Sequence, residues 1–578
     1  MRHLDRLAAM AGHRLEDLVS RLSGNDALLL PSLIGLAVGV LAGLAMVLFR
    51  LAIEELPPLF FGLTNFDGFE ELSPAARFLL PLAGGALIGL IFQLLPPATR
   101  AVGVVHVLER LAYHDGVLPI RNALVQFVTG ATSIICGHSA GREGPAIHIG
   151  AAFASWLGQG VGLPHNQLRI LAAGGTAAAI AASFNTPLAG VIFAMEVVLT
   201  EYTVTSFAPV ILASVSATAV SRAFFGSDAT LTLFSAIPYH PAQLVYAALI
   251  GLAAGLLASG FIRSMGFLSA RTHKMQPFKR CLLAGALTGI LAVPAPVIMG
   301  LGYDTLTETV QGNLPLTALL VLVFFKLAAT AIGLGLGLPG GVIGPTLVIG
   351  ASAGGALGAV FALLAPESAQ PAALTALLGM MAMMGATLHA PLAALTALVE
   401  LAANPDFIFP GMLAVIIAYL ASQAFTRTGS VFEAMASARG VRLHHDPMLQ
   451  SLRRMAVGRA LNHRIRRVAP EMTREVLTEI LQSQPDWLII DLPDGEPRLV
   501  AAAEVARLLE TSDDEEFDLM DVTLRRMTME PIAHRSTLAE ALRRMDAQEL
   551  DALYVIRPDR PDILGVVTRS DVERSYRA

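Results

Sequence analysis

The stretch Gly137-His-Ser-Ala-Gly-Arg142-Glu143-Gly-Pro145-Ala-Ile-His-Ile-Gly150 decides how the rest of the chain is read. It sets an arginine beside a glutamate, between glycines, inside an otherwise apolar region. A charge at membrane depth costs about 2.5–3.5 kcal/mol on insertion scales, so such residues are functional candidates by default. The glycines admit irregular backbone, and Pro145 suits the first turn of the helix-competent run from Ala146 to Trp156. Glu143 then lies at a helix N-terminus, where unpaired N–H groups favour negative charge. An anion could compete with that carboxylate for the same donors.

Composition agrees with a membrane setting. The 578 residues are 54% hydrophobic and 15% charged, against about 25% charged in average soluble chains. A membrane protein carrying some soluble mass fits these figures. The formal charge of −6 gives no support for nucleic-acid binding. Cys136 and Cys281 both lie in apolar stretches, which leaves neither a disulfide framework nor a cysteine metal site. Residues 1–26 mix Arg2, Arg6, Arg14 and Arg21 with Asp5, Glu16 and Asp17, and lack the apolar core of a signal peptide. A short amphipathic cytoplasmic helix is expected there.

Ala27 to Ile53 is a nearly unbroken apolar run, long enough to span a bilayer. An acidic loop follows, with Glu54, Glu55, Asp67, Glu70 and Glu71, and then a second run from Phe78 to Leu95. From there to Phe425 many apolar segments are only about 10–15 residues long, the length of re-entrant or broken helices rather than simple spans. The segment from Arg263 to Arg280 carries Arg263, Arg271, Lys274, Lys279 and Arg280 without an acidic residue, which marks it as cytoplasmic. The expected protein crosses a cell membrane (inner or plasma) many times, surrounded by lipid, with both termini in the cytoplasm.

An internal repeat organises the apolar part. Gly144-Pro145-Ala-Ile-His-Ile149-Gly150-Ala151 recurs as Gly344-Pro345-Thr-Leu-Val-Ile349-Gly350-Ala351. Pro187-Leu-Ala189 with Glu196 recurs as Pro391-Leu-Ala393 with Glu400, and Ile34-Gly-Leu-Ala-Val-Gly39 resembles Ile250-Gly-Leu-Ala-Ala-Gly255. Three matches in one order define two halves, about 28–221 and 241–426, within a transmembrane domain of residues 27–426. Transport folds built this way place their site where half-helix N-termini of the two halves converge. Beyond it, residues 427–471 form a basic connector with Arg453, Arg454, Arg459, Arg464, Arg466 and Arg467. From Met472 to the end the pattern is soluble α/β. Trp487-Leu-Ile-Ile490 and Leu553-Tyr-Val-Ile556 read as buried strands, each followed by a turn and a helix, which suggests a tandem domain.

These motifs resemble the CLC family of chloride channels and chloride/proton antiporters. The resemblance rests on Gly141-Arg-Glu-Gly-Pro145, on Ala177 to Glu196, on Leu338-Pro-Gly-Gly-Val-Ile-Gly-Pro345 and on His389 to Glu400. It implies an all-α polytopic fold of two inverted-repeat halves, a homodimer with one pore per subunit, and an inorganic anion as substrate. The C-terminal part looks like a CBS-domain pair, most clearly at Gly565-Val-Val-Thr568-Arg-Ser-Asp571. Glu143 matches the family's gating glutamate. The implied anion-binding set is Val102, Gly103, Arg142, Gly144, Gly341, Val342, Ile343 and Gly344, together with Pro405 and its neighbour Phe407.

Four departures qualify that match. Val102 stands where the family has a coordinating serine, Ile343 where it has phenylalanine, and Pro405 where it has tyrosine. Val197 stands where many antiporters carry an inner proton-transfer glutamate. Each lost partner of a buried ion is worth about 1–3 kcal/mol. The pore is therefore looser, or its preferred anion is not chloride. The expected function is anion transport through a glutamate-gated pore, channel-like or weakly proton-coupled, and not an enzyme. The alternative is a proton-coupled antiporter, with fluoride, bicarbonate, nitrate or a small organic anion as candidates besides chloride.

Other residues have plainer readings. Gly137-His-Ser139-Ala-Gly141 has the form of a hydrolase elbow, which requires a preceding strand where this sequence is helical. His148 and His389 read as core histidines rather than metal ligands, and no metal is expected. Glu196 and Glu400 occupy equivalent repeat positions and read either as a structural pair near the cytoplasmic helix ends or as carboxylates with a role in transport. Lys326 either adds positive potential along the anion route or snorkels to an interface. No cofactor is expected beyond an adenine nucleotide at Thr568 and Asp571. The first module carries Ala501 where the second has that threonine, so dimerisation is the first reading of the pair and nucleotide binding the second.

Overall fold

The computed structural model describes residues 29–226, 242–368, 370–402, 407–426, 428–443, 447–492, 497–521, 523–557 and 560–577. The helix expected over residues 1–26 lies outside them, as does Pro405. The chain divides into two compact units, one ending at Leu443 and the other made of the C-terminal segment together with Gly162–Gln167.

The first unit is helical and contains two series of eight. The first series is α1 (Leu29–Phe61), α2 (Pro74–Leu94), α3 (Val104–Tyr113), α4 (Ile120–Ile135), α5 (Glu143–Val161), α6 (His165–Phe184), α7 (Pro187–Leu199) and α8 (Val204–Phe225). The second is α9 (Ala242–Thr272), α10 (Pro277–Ala292), α11 (Tyr303–Gln311), α12 (Leu316–Gly335), α13 (Ile343–Leu364), α14 (Ala372–Leu388), α15 (Pro391–Ala402) and α16 (Ile408–Phe425). A short α17 (Val431–Ala438) follows, opened by a capping box between Ser430 and Glu433. Among the described residues, eight helices are long and apolar enough to cross a membrane, while α7, α14 and α15 are shorter apolar helices. Glu54 and Glu55, expected in a loop, lie inside α1, which runs on through Pro57 and Pro58.

Close packing at glycine pairs reproduces the repeat in space. A β-carbon on Gly150 would meet the Gly175 carbonyl oxygen at 2.2 Å, and one on Gly175 would meet that of Gly150 at 2.2 Å. The second half repeats the pair on α13 and α14, where Gly350 and Gly379 would meet each other's carbonyl oxygens at 2.4 and 2.2 Å. Backbones this close exclude any side chain and let dispersion act between the helices themselves. Helix α1 packs on α8 as α9 packs on α16, and α2 packs on its own counterpart α10.

The second unit contains α18 (Pro447–Arg454) and then a tandem α/β arrangement. In chain order its elements are β1 (Ile465–Val468), β2 (Glu471–Thr473), α19 (Arg474–Gln482), β3 (Trp487–Ile490), β4 (Arg498–Ala501), α20 (Ala502–Thr511) and β5 (Glu516–Asp518). They continue with β6 (Met527–Ala533), α21 (Leu538–Ala547), β7 (Ala552–Arg557), β8 (Arg560–Thr568) and α22 (Arg569–Arg577). Six strands form one sheet in the order β1-β3-β4-β6-β7-β8, and β2 pairs with β5. Each module crosses from one strand through a helix to a parallel neighbour (β1 to β3, β6 to β7) and then returns antiparallel (β4, β8). The expected strands are β3 and β7. The returning strands go beyond that expectation, because β4 is four residues long and runs straight into α20. Strand β1 lies within the stretch expected to be a connector, so the sheet begins before Met472.

Candidate functional site

The two Gly-Pro stretches meet. The Gly141 amide donates to the Gly341 carbonyl at 2.9 Å, and the Gly341 amide donates to the Gly141 carbonyl at 2.7 Å. This reciprocal antiparallel bridge is what a local two-fold between the halves requires. It brings the N-termini of α5 and α13 together, so their unpaired N–H groups face a shared space.

Glu143 crosses that space. It is only 1% exposed, and its Oε1 accepts hydrogen bonds from the Ile343 amide and, at 3.2 Å, from the Gly344 amide. The carboxylate thus occupies the first turn of the opposite half's helix α13, where the partial positive charge of the helix end favours it. Its other oxygen, Oε2, is buried without a partner. Glycines make the space: a β-carbon on Gly141 would lie 2.1 Å from Glu143 Oε2, and one on Gly341 would lie 2.0 Å from Oε1. Gly144 lies against the Gly340 carbonyl, which a β-carbon would approach to 2.3 Å.

Arg142 forms no ion pair with Glu143. Its Nη1 reaches Glu54 Oε1 at 3.3 Å, its Nη2 donates to the Ser183 carbonyl, and Glu54 also takes Arg50 at 2.7 Å. The guanidinium carbon lies 5.1 Å from the centre of the Tyr303 ring and 5.4 Å from that of Phe184. These groups line a cavity of about 300 Å³. Arg142 therefore supplies positive potential beside Glu143 rather than a hydrogen bond to it.

A second cavity, of about 550 Å³, lies against Val102, Gly103, Gly340, Gly341 and Val342. Arg100, Lys274, Arg280, Arg439 and His273 also line it, and among the described residues no acidic or hydroxyl-bearing side chain does. Its wall thus carries cationic side chains together with the glycine backbone at Gly340 and Gly341. Phe432, the second residue of α17, is an aromatic that faces this cavity. The sequence pattern points to Phe407 instead. Phe407 is 1% exposed, packs in the helical core just before α16, and does not line the cavity. Phe432 comes one helix after Phe407, and the Ser430-x-x-Glu433 pattern announcing that helix is its readable signal. Ile343 and Gly344 contribute amides to Glu143 rather than walls to this cavity.

The remaining candidates are placed as follows. Ser139 is buried with its hydroxyl 2.8 Å from that of Thr330, and α4 precedes it in place of a strand, so the hydrolase elbow is absent. His389 lies 3.4 Å from the Ser422 hydroxyl. His148 has a partner that the sequence does not reveal, His106 on α3, at 3.0 Å. Lys326 is fully buried and donates to the carbonyls of Ile298 at 3.2 Å and Gly300 at 3.5 Å, so it neither snorkels nor lines either cavity. Glu196 accepts from the amides of Leu392 and Ala393, and Glu400 from those of Leu188 and Ala189, each capping a helix of the other half. Val197 lies in the π-helical end of α7.

A family profile described as Voltage gated chloride channel matches residues 84–423. The chain belongs to the voltage-gated chloride channel (CLC) family. A protein of Ralstonia nicotianae named putative chloride channel protein ClcB-like is 33% identical over 385 residues, covering 64% of this chain and 88% of its own. The solved structure of a slow cyanobacterial Cl⁻/H⁺ antiporter matches with a TM-score of 0.62 at 23% identity, covering 71% of this chain and 97% of that one. A eukaryotic CLC transporter matches with a TM-score of 0.59 at 19% identity over 94% of this chain and 97% of its own. These two structures carry the fold. As a CLC family member, the protein is a multi-pass membrane protein of anion-transport type.

Proposed function

We propose that this protein conducts small inorganic anions through a Glu143-gated pathway, without a fixed coupling to protons. One observation carries the proposal: the Glu143 carboxylate occupies amides of Ile343 and Gly344 that an anion would need. Protonation removes its charge and weakens its hold on those donors, so the gate opens as pH falls. The weak coupling is inferred from Val197 in place of an inner carboxylate. A cavity without hydroxyl side chains binds an anion more loosely than one that has them. The cationic cavity is taken as the cytoplasmic entrance, because Lys274, between α9 and α10, and Arg280, in the first turn of α10, belong to the basic segment that the positive-inside rule places there. The working unit is taken as a homodimer, for which native mass spectrometry of the purified protein should show a particle of two chains.

The test is flux in proteoliposomes driven by an anion gradient, read together with internal pH. Wild-type flux rises as pH falls, while Glu143→Gln conducts at the acid rate at every pH. Proton movement in fixed ratio to anion, abolished by Glu143→Gln, overturns the uncoupled reading. One observation favours that second reading, a proton-coupled antiporter. The buried His106–His148 pair places two titratable rings between α3 and the gate helix α5.

A further inference from the structure

Two buried oxygens near the gate lack hydrogen-bond partners, and they face one point. The first is Glu143 Oε2. The second is the hydroxyl of Tyr303, the first residue of α11. A β-carbon on Gly344 would lie 3.5 Å from Glu143 Oε2 and 3.7 Å from the Tyr303 hydroxyl. The space beside the α13 N-terminus is thus bordered by a carboxylate oxygen that accepts and a phenol that donates.

Tyr303 is held there firmly. The amides of Leu301, Gly302 and Tyr303 donate to the Asp67 carboxylate at 2.9, 2.9 and 3.0 Å. Gly302 takes the left-handed conformation (φ +76°) that turns the chain into α11. The ring packs edge-on against Phe184, with centroids 6.4 Å apart, and the Arg142 guanidinium lies 5.1 Å from its centre. Phenylalanine would keep all of these ring contacts. The hydroxyl alone has no partner, and a buried donor without an acceptor carries a cost that phenylalanine would avoid. That cost is recovered when an acceptor occupies the space beside Gly344.

We propose that the Tyr303 hydroxyl is a specificity-determining donor for a small anion seated at the α13 N-terminus once Glu143 has left it. The inference rests on the gate reading of Glu143. It places a side-chain hydroxyl on the anion route after all, supplied by α11 rather than by Val102 or Phe432. The donors at this seat are the amides of Ile343 and Gly344 and one phenol, with the Arg142 charge nearby. This set suits a halide, which accepts from several directions at short range, over a bulky apolar anion.

Chloride binding to the purified full-length protein, measured by calorimetry in the Glu143→Gln background, tests the assignment without depending on transport. Adding Tyr303→Phe is expected to weaken chloride binding about tenfold, the effect of roughly 1.4 kcal/mol, and to reduce the flux preference for chloride over thiocyanate. Thermal stability stays equal or rises, because a buried unpaired hydroxyl has been removed. Chloride affinity and selectivity unchanged by Tyr303→Phe, with flux intact, overturn the Tyr303 role and leave the gate standing. Absence of both chloride binding and flux in Glu143→Gln overturns the gate reading and the Tyr303 role together.

Discussion

At the scale of single residues, the pathway depends on side chains that are missing as much as on those present. The atoms nearest a β-carbon on Gly141 would all belong to Glu143, with Oε2 at 2.1 Å, Oε1 at 2.3 Å and Cδ at 2.5 Å. Gly141→Ala should therefore evict the carboxylate rather than disturb the backbone, since the far end of a flexible side chain yields most easily. The expected outcome is flux that no longer falls as pH rises, as in Glu143→Gln, with little change in melting temperature. Retained pH-dependent closure in liposomes would show that the carboxylate has another seat. Glu143 stands out in the sequence because a charge between glycines in apolar surroundings is costly. The region it meets is legible through the repeat, which pairs Gly144-Pro145 with Gly344-Pro345. That the carboxylate itself rests on the amides of Ile343 and Gly344 is not, because nothing in the sequence sets the reach of one side chain across the bridge. Tyr303 is unreadable for a related reason. Its hydroxyl gains meaning only when Asp67, Phe184 and Arg142, from three other segments, fix its ring beside Gly344.

At the scale of elements, the repeat does more than duplicate helices. The matching glutamates exchange places: Glu196 at the end of α7 caps the start of α15, and Glu400 at the end of α15 caps the start of α7. Both capped helices begin with proline, at Pro187 and Pro391, whose missing N–H leaves the next two amides for the carboxylate. Removing such a cap costs about 0.5–2 kcal/mol. Glu196→Ala and Glu400→Ala should each lower the melting temperature of the purified protein while leaving the pH dependence of flux intact. Unchanged melting, or a lost pH response, would instead assign these carboxylates to transport. The spacing of nine residues from Pro to Glu is visible in both halves of the sequence, and so is their equivalence. The crossing of the caps is not, since periodicity within one half says nothing about which N-terminus a carboxylate reaches.

At the scale of the whole molecule, the halves are alike in backbone and unlike in chemistry. The first contributes the Glu143 carboxylate and the second contributes the amides it rests on, so the two halves play different parts at the bridge that joins them. The C-terminal unit shows the same divergence between repeats. Its modules share a strand-helix-strand-strand-helix order, yet Ala501 stands where the second module has Thr568. The second module's hydroxyl and carboxylate are already committed to each other. Thr568 Oγ1 donates to Asp571 Oδ2 at 2.5 Å, and the Thr568 amide donates to the same oxygen at 3.0 Å. Asp571 Oδ1 takes the Arg574 guanidinium. A ribose would have to displace these bonds, and in the adjoining cavity of about 480 Å³ Arg464 is likewise held, by Asp486 at 2.8 Å. Charge-assisted bonds of this kind are roughly twice as strong as neutral ones, so the nucleotide would gain little by the exchange. Calorimetry of the full-length protein with AMP or ATP should accordingly show no saturable heat up to about 1 mM, where binding is worth only about 4 kcal/mol, and neither nucleotide should alter anion flux. Saturable micromolar binding, lost in Asp571→Ala, would make the unit a nucleotide sensor rather than a structural pair.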